Sequence, residues 1–288
     1  MAVGTNIKTY FNGAWHDGDV PIMGAADHGA WQGTTVFDGA RYVNGLAPDL
    51  KAHCDRVVRS ARALMLHPDK TGQEIFEIAW EGLKRYPKDA AVYVRPMFWG
   101  IDGGAYGIIP AETPAGFAIC LEEVPLAAPE ATVRLTTTQF HRPVLTDNVC
   151  NAKAGCLYPN NARMLAEARA KGYDNALVRD AMGNVAETAT ANVFMVRDGV
   201  VFTPIPNGTF LNGITRQRHM ANMRADGMEV VETVLTFDDF RKADEVFMTG
   251  NLNKVTAVVE FDGTHYQHGP VTERARALYW DWAASDAA

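Results

Sequence analysis

Cysteine is scarce in this chain of 288 residues: Cys54, Cys120, Cys150 and Cys156 are the only four. None forms a C-x-x-C pair and none has histidines at zinc-finger spacing, so neither a disulfide scaffold nor a bound metal is expected. Reduced, partly buried thiols of a cytoplasmic protein are the plain reading. Positive charge is short too. Lys+Arg total 27 against 34 for Asp+Glu, a net charge of −7, and the basic footprint of a nucleic-acid binder is missing. No stretch approaches the roughly 20 apolar residues needed to cross a bilayer. The opening run MAVGTNIKTYFNGAWHDGD holds no apolar segment of signal-peptide length. There is no internal repeat, no G-x-G-x-x-G fingerprint and no Walker-type loop, which disfavours a nucleotide cofactor. No nucleic-acid or membrane partner is expected.

What is present is an ordinary globular composition, 47% hydrophobic and 21% charged, enough to build a packed core. Asn12–Gly13, flanked by Ile7–Phe11 and Trp15, signals a hairpin. Residues 31–46 read as two β-rich pieces punctuated by Gly33, Gly39 and Gly45. Asp49–Leu66 reads as a helix, with Val57, Ala61 and Leu64 on its apolar face and Arg56, Arg59 and Arg62 on others. Glu74–Tyr86 is a second helix stopped by Pro87. Ala91–Trp99 and Phe117–Val124 are strands. Further on, Val133–Thr138, Asn175–Arg179, Ala191–Val196, Val200–Phe202, Glu229–Val234 and Glu245–Thr249 read as strands. Asn160–Gly172, Thr215–Asp226 and Thr272–Trp282 read as helices. The proline-bearing run EEVPLAAPE that starts at Glu122 is the linker candidate. These elements predict an α+β chain with a smaller N-terminal domain over 1–121, a linker over 122–129 and a larger C-terminal domain over 130–288.

Four settings could carry chemistry. Lys153 lies in NVCNAKAGCLYPNN, among small or apolar neighbours and without an acid nearby in sequence. Desolvation lowers an amine's pKa and makes it a nucleophile. Lys254, in GNLNKVT, is its one rival. The turn leading through Gly213, Ile214, Thr215 and Arg216 into a helix would offer backbone N–H groups and the positive dipole end to an anion such as phosphate, although an ordinary Thr-capped helix start is the commoner arrangement for such residues. Glu187 stands alone as a charge in VAETATANVF; buried, it needs a cationic partner, and otherwise it sits in a surface turn. Tyr93 and Arg95 alternate onto one face of their strand, where they could clamp a carboxylate or meet an internal acid.

Together these settings resemble the fold-type IV pyridoxal-phosphate transaminases. Lys153 with Tyr158, Glu187 in E-T-A-T-A-N-V-F, G-I-T-R at 213–216 and ADEVF at 243–247 followed by Met248-Thr249-Gly250 occur in the family's order. His53-x-x-Arg56 with Ser60 fits as well. Val36-Phe37-Asp38-Gly39-Ala40-Arg41 and Tyr93-Val94-Arg95-Pro96 bring the likeness nearest to the branched-chain amino acid transaminases. The resemblance spans about residues 8–275.

It implies a two-domain α+β fold like that of D-amino acid aminotransferase, and a homodimer or higher homo-oligomer. The active site would sit between the domains, closed by a loop of the second subunit. Pyridoxal 5'-phosphate would be the cofactor. Lys153 would hold it covalently and carry a proton between substrate Cα and cofactor C4′. Glu187 would pair with the ring nitrogen, Tyr158 would hydrogen-bond the ring oxygen, and Arg56, Ile214, Thr215 and Asn251 would hold phosphate. Gln32, Phe37, Gly39, Tyr93, Arg95 and Leu252 would line the substrate side. The implied partners are a branched-chain amino donor and a 2-oxo acid acceptor, 2-oxoglutarate first, used in ping-pong order.

Two departures stand out. Gly250-Asn251-Leu252 replaces the family's usual Gly-Thr-Ala, and Gln32 stands where branched-chain members usually carry an aromatic. The alternatives on the same scaffold are an (R)-selective amine:pyruvate transaminase, a D-amino acid transaminase and an aminodeoxychorismate lyase. The first typically loses the pattern kept here by Phe37, Gly39, Tyr93 and Arg95, and the second carries an Arg-x-His pair absent at 93–95.

Overall fold

The computed structural model describes residues 4–286; residues 1–3 and 287–288 lie outside it. The chain divides into two compact units. One comprises residues 4–126 with Asn151–Leu157, the other Ala127–Cys150 with Tyr158–Asp286. Among the described residues no helix is long and apolar enough to cross a membrane.

The first unit opens with strands β1 (Thr5–Phe11) and β2 (Ala14–Asp17). The turn between them has positive φ at Asn12 and Gly13, 50° and 81°, as a two-residue hairpin of this twist requires. A single helical turn, α1 (His28–Trp31), precedes β3 (Thr35–Phe37) and β4 (Ala40–Val43). Helices α2 (Leu50–Ala63) and α3 (Gly72–Leu83) follow, then β5 (Ala91–Trp99) and β6 (Gly116–Glu123). Helix α3 begins with a full capping box between Thr71 and Glu74. The sheet runs β2-β1-β6-β5-β3, with β4 also pairing β5. Glu122 and Glu123 thus belong to a strand rather than to the linker, and residues 124–131 carry no regular structure. The buried face of α2 includes His53, Arg56 and Ser60 beside Val57 and Ala61. Arg56 therefore faces inward, not out with the exposed Arg59 and Arg62.

The second unit is built on a nine-stranded sheet. Its elements in chain order are β7 (Thr132–Arg142), α4 (Tyr158–Ala170), β8 (Asn175–Asp180), β9 (Val185–Thr188), β10 (Asn192–Arg197) and β11 (Val200–Pro204). Then come α5 (Ile214–Ala225), β12 (Val230–Thr233), α6 (Phe237–Arg241), β13 (Glu245–Gly250), β14 (Lys254–Phe261), β15 (Thr264–His265) and α7 (Pro270–Asp286). The strand order is β12-β11-β10-β13-β14-β7-β8-β9, with β15 beside β14. Apolar residues of β10 alternate between two cores. Val193 and Met195 join Phe240 of α6, while Phe194 and Val196 join Met220 and Met223 of α5 and Ala275 of α7. A strand covered on both faces reads as a continuous apolar run, which VFMV at 193–196 is.

Helix α7 is tied to the sheet by one carboxylate. Glu245 of β13 is buried and accepts the N–H groups of Val271 and Thr272 and the Thr272 hydroxyl, at 3.1, 2.9 and 2.8 Å. A hydrogen bond to a charged group contributes about 1.5–3 kcal/mol. Glu245→Ala is therefore expected to destabilise the chain by about 2–3 kcal/mol, read as a lower urea midpoint. An unchanged midpoint would show that α7 docks without this contact.

Candidate active site

In the first unit the residues that sequence reasoning singled out meet around one carboxylate that it did not. Asp38, in the turn between β3 and β4, is completely buried. Arg56 donates to it from Nε at 2.7 Å and from Nη2 at 2.8 Å, and His53 donates from Nδ1 at 2.7 Å. The Gly39 N–H adds a bond of 2.7 Å. Burial alone would raise this carboxyl, but the Arg56 and His53 charges outweigh it and hold it well below the usual carboxylate range. Asp38 thereby joins the V-F-D-G-A-R and H-x-x-R runs into one cluster.

Lys153 is half-buried between the buried Ala152 and Ala154. Its backbone is held at both ends: its N–H donates to Ser60 Oγ at 3.1 Å, and its carbonyl accepts the Phe37 N–H at 3.1 Å. Its Nζ lies 5.0 Å from the Phe37 ring centroid, a cation–π approach. Lys153, Phe37, Ser60, Arg56 and Asp38 thus form one constellation within this unit.

Tyr93 and Arg95 share a face of β5, as alternation predicts, and cross-strand pairing extends that face into a row. Arg41 of β4 lies opposite Tyr93, and Glu122 of β6 lies on its other side. Arg95 meets an internal acid, Glu122, through Nη2 and stands 5.2 Å over the Tyr93 ring. Arg41 is fully buried, donates to the Val124 carbonyl, and keeps two further nitrogens without a hydrogen-bond partner among the described residues. Burial pulls its guanidinium down to about 10, against the raising effect of Tyr93 and Glu122. Position 39 must be glycine here, because a Cβ would come within 2.1 Å of the Tyr93 hydroxyl. Gln32 follows α1 directly and its N–H bonds the His28 carbonyl.

In the second unit Glu187 is a buried residue of β9, not a surface turn. Arg142, at the end of β7, reaches its Oε1 at 3.1 Å and also donates to the carbonyls of Thr188 and Ala189. Arg142 in turn reaches Asn161 of α4 through Nη1 at 2.5 Å. Asn192 donates to Glu187 Oε2 at 3.1 Å. The anion is thus held from both sides. Tyr158 begins α4 and is partly exposed.

Helix α5 begins at Ile214 with Gly213 as its N-cap and no side-chain cap bond, so the Thr-capped reading is corrected. A Cβ at Gly213 would stand 2.2 Å from the Asn192 amide oxygen, so the helix start is pressed against the residue that holds Glu187. Thr215 is buried in the first turn, while Arg216 is used structurally, bonding Thr203, Asn212, the Pro204 carbonyl and Glu232. Asn192 also pairs with Thr249, one residue before the Gly250-Asn251-Leu252 run. Asn251 and Leu252 are half-buried in the turn between β13 and β14. This cluster combines an organised carboxylate with an uncapped helix N-terminus, which attracts anions.

Asp38, Arg41, Glu122, Arg142 and Asn192 were missing from the sequence-predicted set. Asp38 carried a signal, standing between Phe37 and Gly39 in a run already picked out. Arg142 carried none, since its partner Glu187 lies far along the chain.

The profile of the family described as "Amino-transferase class IV" matches residues 35–261. An aminotransferase from Brucella abortus, solved with its co-factor PLP, superposes with a TM-score of 0.95 at 54% identity, covering 96% of this chain and 99% of that one. The branched-chain aminotransferase of the thermophilic archaeon Thermoproteus uzoniensis, solved with norvaline, gives a TM-score of 0.86 at 27% identity, covering 96% and 95%. In sequence, the branched-chain-amino-acid aminotransferase of Pseudomonas aeruginosa is 32% identical over 287 residues, 93% of this chain and 91% of that protein. The profile takes in β3, the Asp38 cluster, Lys153, Glu187, the start of α5 and the β13–β14 turn, and with this shared fold the chain belongs to the class IV aminotransferases, the enzymes of fold-type IV.

Proposed function

We propose that this protein is a pyridoxal 5'-phosphate-dependent transaminase that moves an amino group between a branched-chain L-amino acid and 2-oxoglutarate in ping-pong order, the 2-oxo product of the donor leaving before the acceptor enters. The observation that carries the cofactor part is the Glu187 carboxylate, held by Arg142 and Asn192 beside the uncapped start of α5. A buried carboxylate next to an anion-binding helix end suits a cationic ring bearing a phosphate. The cofactor, when bound, supplies an electron sink for the bond broken at the substrate's α-carbon.

In this reading Lys153 binds the cofactor covalently and later moves the proton of the substrate α-carbon, its backbone anchored by Ser60 and Phe37. Glu187 keeps the ring nitrogen protonated. Tyr158 holds the ring oxygen. Ile214 and Thr215 offer backbone N–H groups to phosphate, and Asn251 adds a side-chain donor. Arg56 gives Nε and Nη2 to Asp38, so it would meet phosphate through Nη1. On the substrate side, Phe37, Gly39 and Gln32 border an apolar side-chain pocket, and Leu252 belongs with the carboxylate-facing residues. Tyr93 and Arg95 serve the carboxylate-facing side. A second copy of the chain would cover the exposed Trp31, Tyr106 and Ile108, apolar surface of the kind that marks an interface.

Lys153→Ala is expected to abolish transamination and the visible absorption of the purified protein while leaving its unfolding transition in place. Near-wild-type turnover in this variant would refute the cofactor reading. Glu187→Gln is expected to retain cofactor but lose turnover severely. A loss of about 2.7 kcal/mol or more in transition-state stabilisation, roughly two decades in rate, is the expected size. Turnover within about threefold of wild type would show that Glu187 does not support the ring nitrogen.

Substrate range is tested by kcat/KM for L-leucine, L-glutamate, D-alanine and (R)-1-phenylethylamine. Burying a leucine-sized side chain contributes about 1.5–3 kcal/mol, while leaving the Gln32 amide without partners costs about 1–3 kcal/mol. The terms are comparable, so the expected preference for L-leucine is modest and the donor range broad, and Gln32→Tyr should sharpen it. D-Alanine or the amine at least about tenfold ahead of both L-donors, a difference of some 1.4 kcal/mol, would move the assignment to a D-amino acid or (R)-amine transaminase.

A further inference from the structure

The Asn251 and Lys254 pair is where this chain parts from the hydroxyl its relatives usually place in the β13–β14 turn. Lys254 is fully buried, has a left-handed backbone with φ 65°, and holds Nζ 5.3 Å from the Tyr279 ring of α7. A left-handed non-glycine residue persists only where its surroundings over-determine it. Its Nζ lies 2.7 Å from Asn251 Oδ1. An ammonium has donors only, so this contact selects the amide orientation: the carbonyl faces the lysine and the NH2 group points away from it. That Nδ2 is itself buried and has no hydrogen-bond partner among the described residues. Buried donors are rarely left so, and the rarity points to an acceptor that the protein itself does not supply.

The place of that donor suggests which acceptor. Strand β13 ends at Gly250, beside Ala191, and Thr249 pairs with Asn192 at the start of β10. Gly213, the cap of α5, presses on the Asn192 amide. The turn holding Asn251 and the N-terminus of the 12-residue helix α5 therefore lie at the same end of the sheet. Both favour an anion.

We propose that Lys254 is a positioning residue that locks the Asn251 amide with its Nδ2–H toward the cofactor phosphate, so that a lysine-oriented amide does here what a freely rotating hydroxyl does in relatives. The proposal rests on the cofactor reading above. A threonine hydroxyl turns to meet its acceptor and needs no second residue. An amide can present the wrong edge, and Lys254 removes that choice.

The test uses the full chain, stripped of cofactor and titrated with pyridoxal 5'-phosphate and with pyridoxal, which has the same ring and aldehyde but no phosphate. Asn251→Asp keeps the oxygen facing Lys254 and deletes the donor. It is expected to weaken pyridoxal 5'-phosphate binding by at least about tenfold while pyridoxal changes by less than about threefold. Lys254→Met should weaken phosphate-ester binding about tenfold beside Asn251, yet by at most about threefold when combined with Asn251→Thr, because the hydroxyl needs no orienting. Equal losses for the two aldehydes in Asn251→Asp, or no loss, would overturn the proposal. So would an equal cost of Lys254→Met in both backgrounds, which marks a packing role alone. A wild-type chain that takes up neither aldehyde overturns the cofactor reading together with this pair.

Discussion

The Asp38 carboxylate sets the positions of nearly everything else in the first unit's cluster. It sits at the end of β3, and its partners Arg56 and His53 sit on α2. The strand and the helix are therefore locked by charge at a point that contains no water-exposed atom of the acid. The same two elements provide both backbone anchors of Lys153, Phe37 from the strand and Ser60 from the helix. If the strand slid against the helix, the two anchors would separate and the lysine would lose its fixed start. Removing one partner of such a buried pair costs about 3–5 kcal/mol, which makes the register between β3 and α2 effectively single-valued. The long, flexible side chain of Lys153 therefore starts from a fixed origin.

The second unit solves a related problem with the opposite emphasis. Glu187 is a carboxylate in a place where burial works against its charge. Arg142 supplies the compensating charge, and its remaining donors go to Thr188 and Ala189 carbonyls and to Asn161. Those extra bonds keep the guanidinium from swinging onto the carboxylate as a bidentate fork. One Glu187 oxygen is shared with Asn192, whose own amide also ties the Leu211 carbonyl just before the α5 cap. The carboxylate and the helix start are thus spaced by a single asparagine.

Local patterns in the sequence carried the hairpins, the strand Ala91–Trp99, and the helices around Val57 and Met220. Each of these depends on residues close together in the chain. What stayed hidden depends on distant ones. β9 is only four residues long, too short for alternation to declare itself, and its depth comes from β8 and Arg142. β14 begins at a left-handed lysine, which the sequence offers only as a rival amine to Lys153. α6 is a five-residue helix below the length at which periodicity is visible. The motif residues Lys153, Glu187 and Arg56 were legible as types in order. The partner of Arg56 was not, because nothing local distinguishes an arginine that faces phosphate from one that first secures an aspartate.

The face of β5 shows how far alternation alone can go. It places Tyr93 and Arg95 together but is silent about β4 and β6. Pairing adds Arg41 on one side and Glu122 on the other, and with them a charge imbalance. Two guanidiniums face one carboxylate, since Arg95 engages Glu122 while Arg41 has only the Val124 carbonyl and two nitrogens without partners among the described residues. Burial lowers the Arg41 pKa only to about 10, so this cation persists at neutral pH. A face with one uncompensated buried positive charge is stable only if something negative comes to it or if a polarisable acceptor lies next to it. The Tyr93 hydroxyl, against which Gly39 leaves no room for a side chain, is such an acceptor. With Arg95, the row Arg41–Tyr93–Glu122 thus gathers two guanidiniums, one carboxylate and one phenol on a single face of the sheet, an excess of one positive charge.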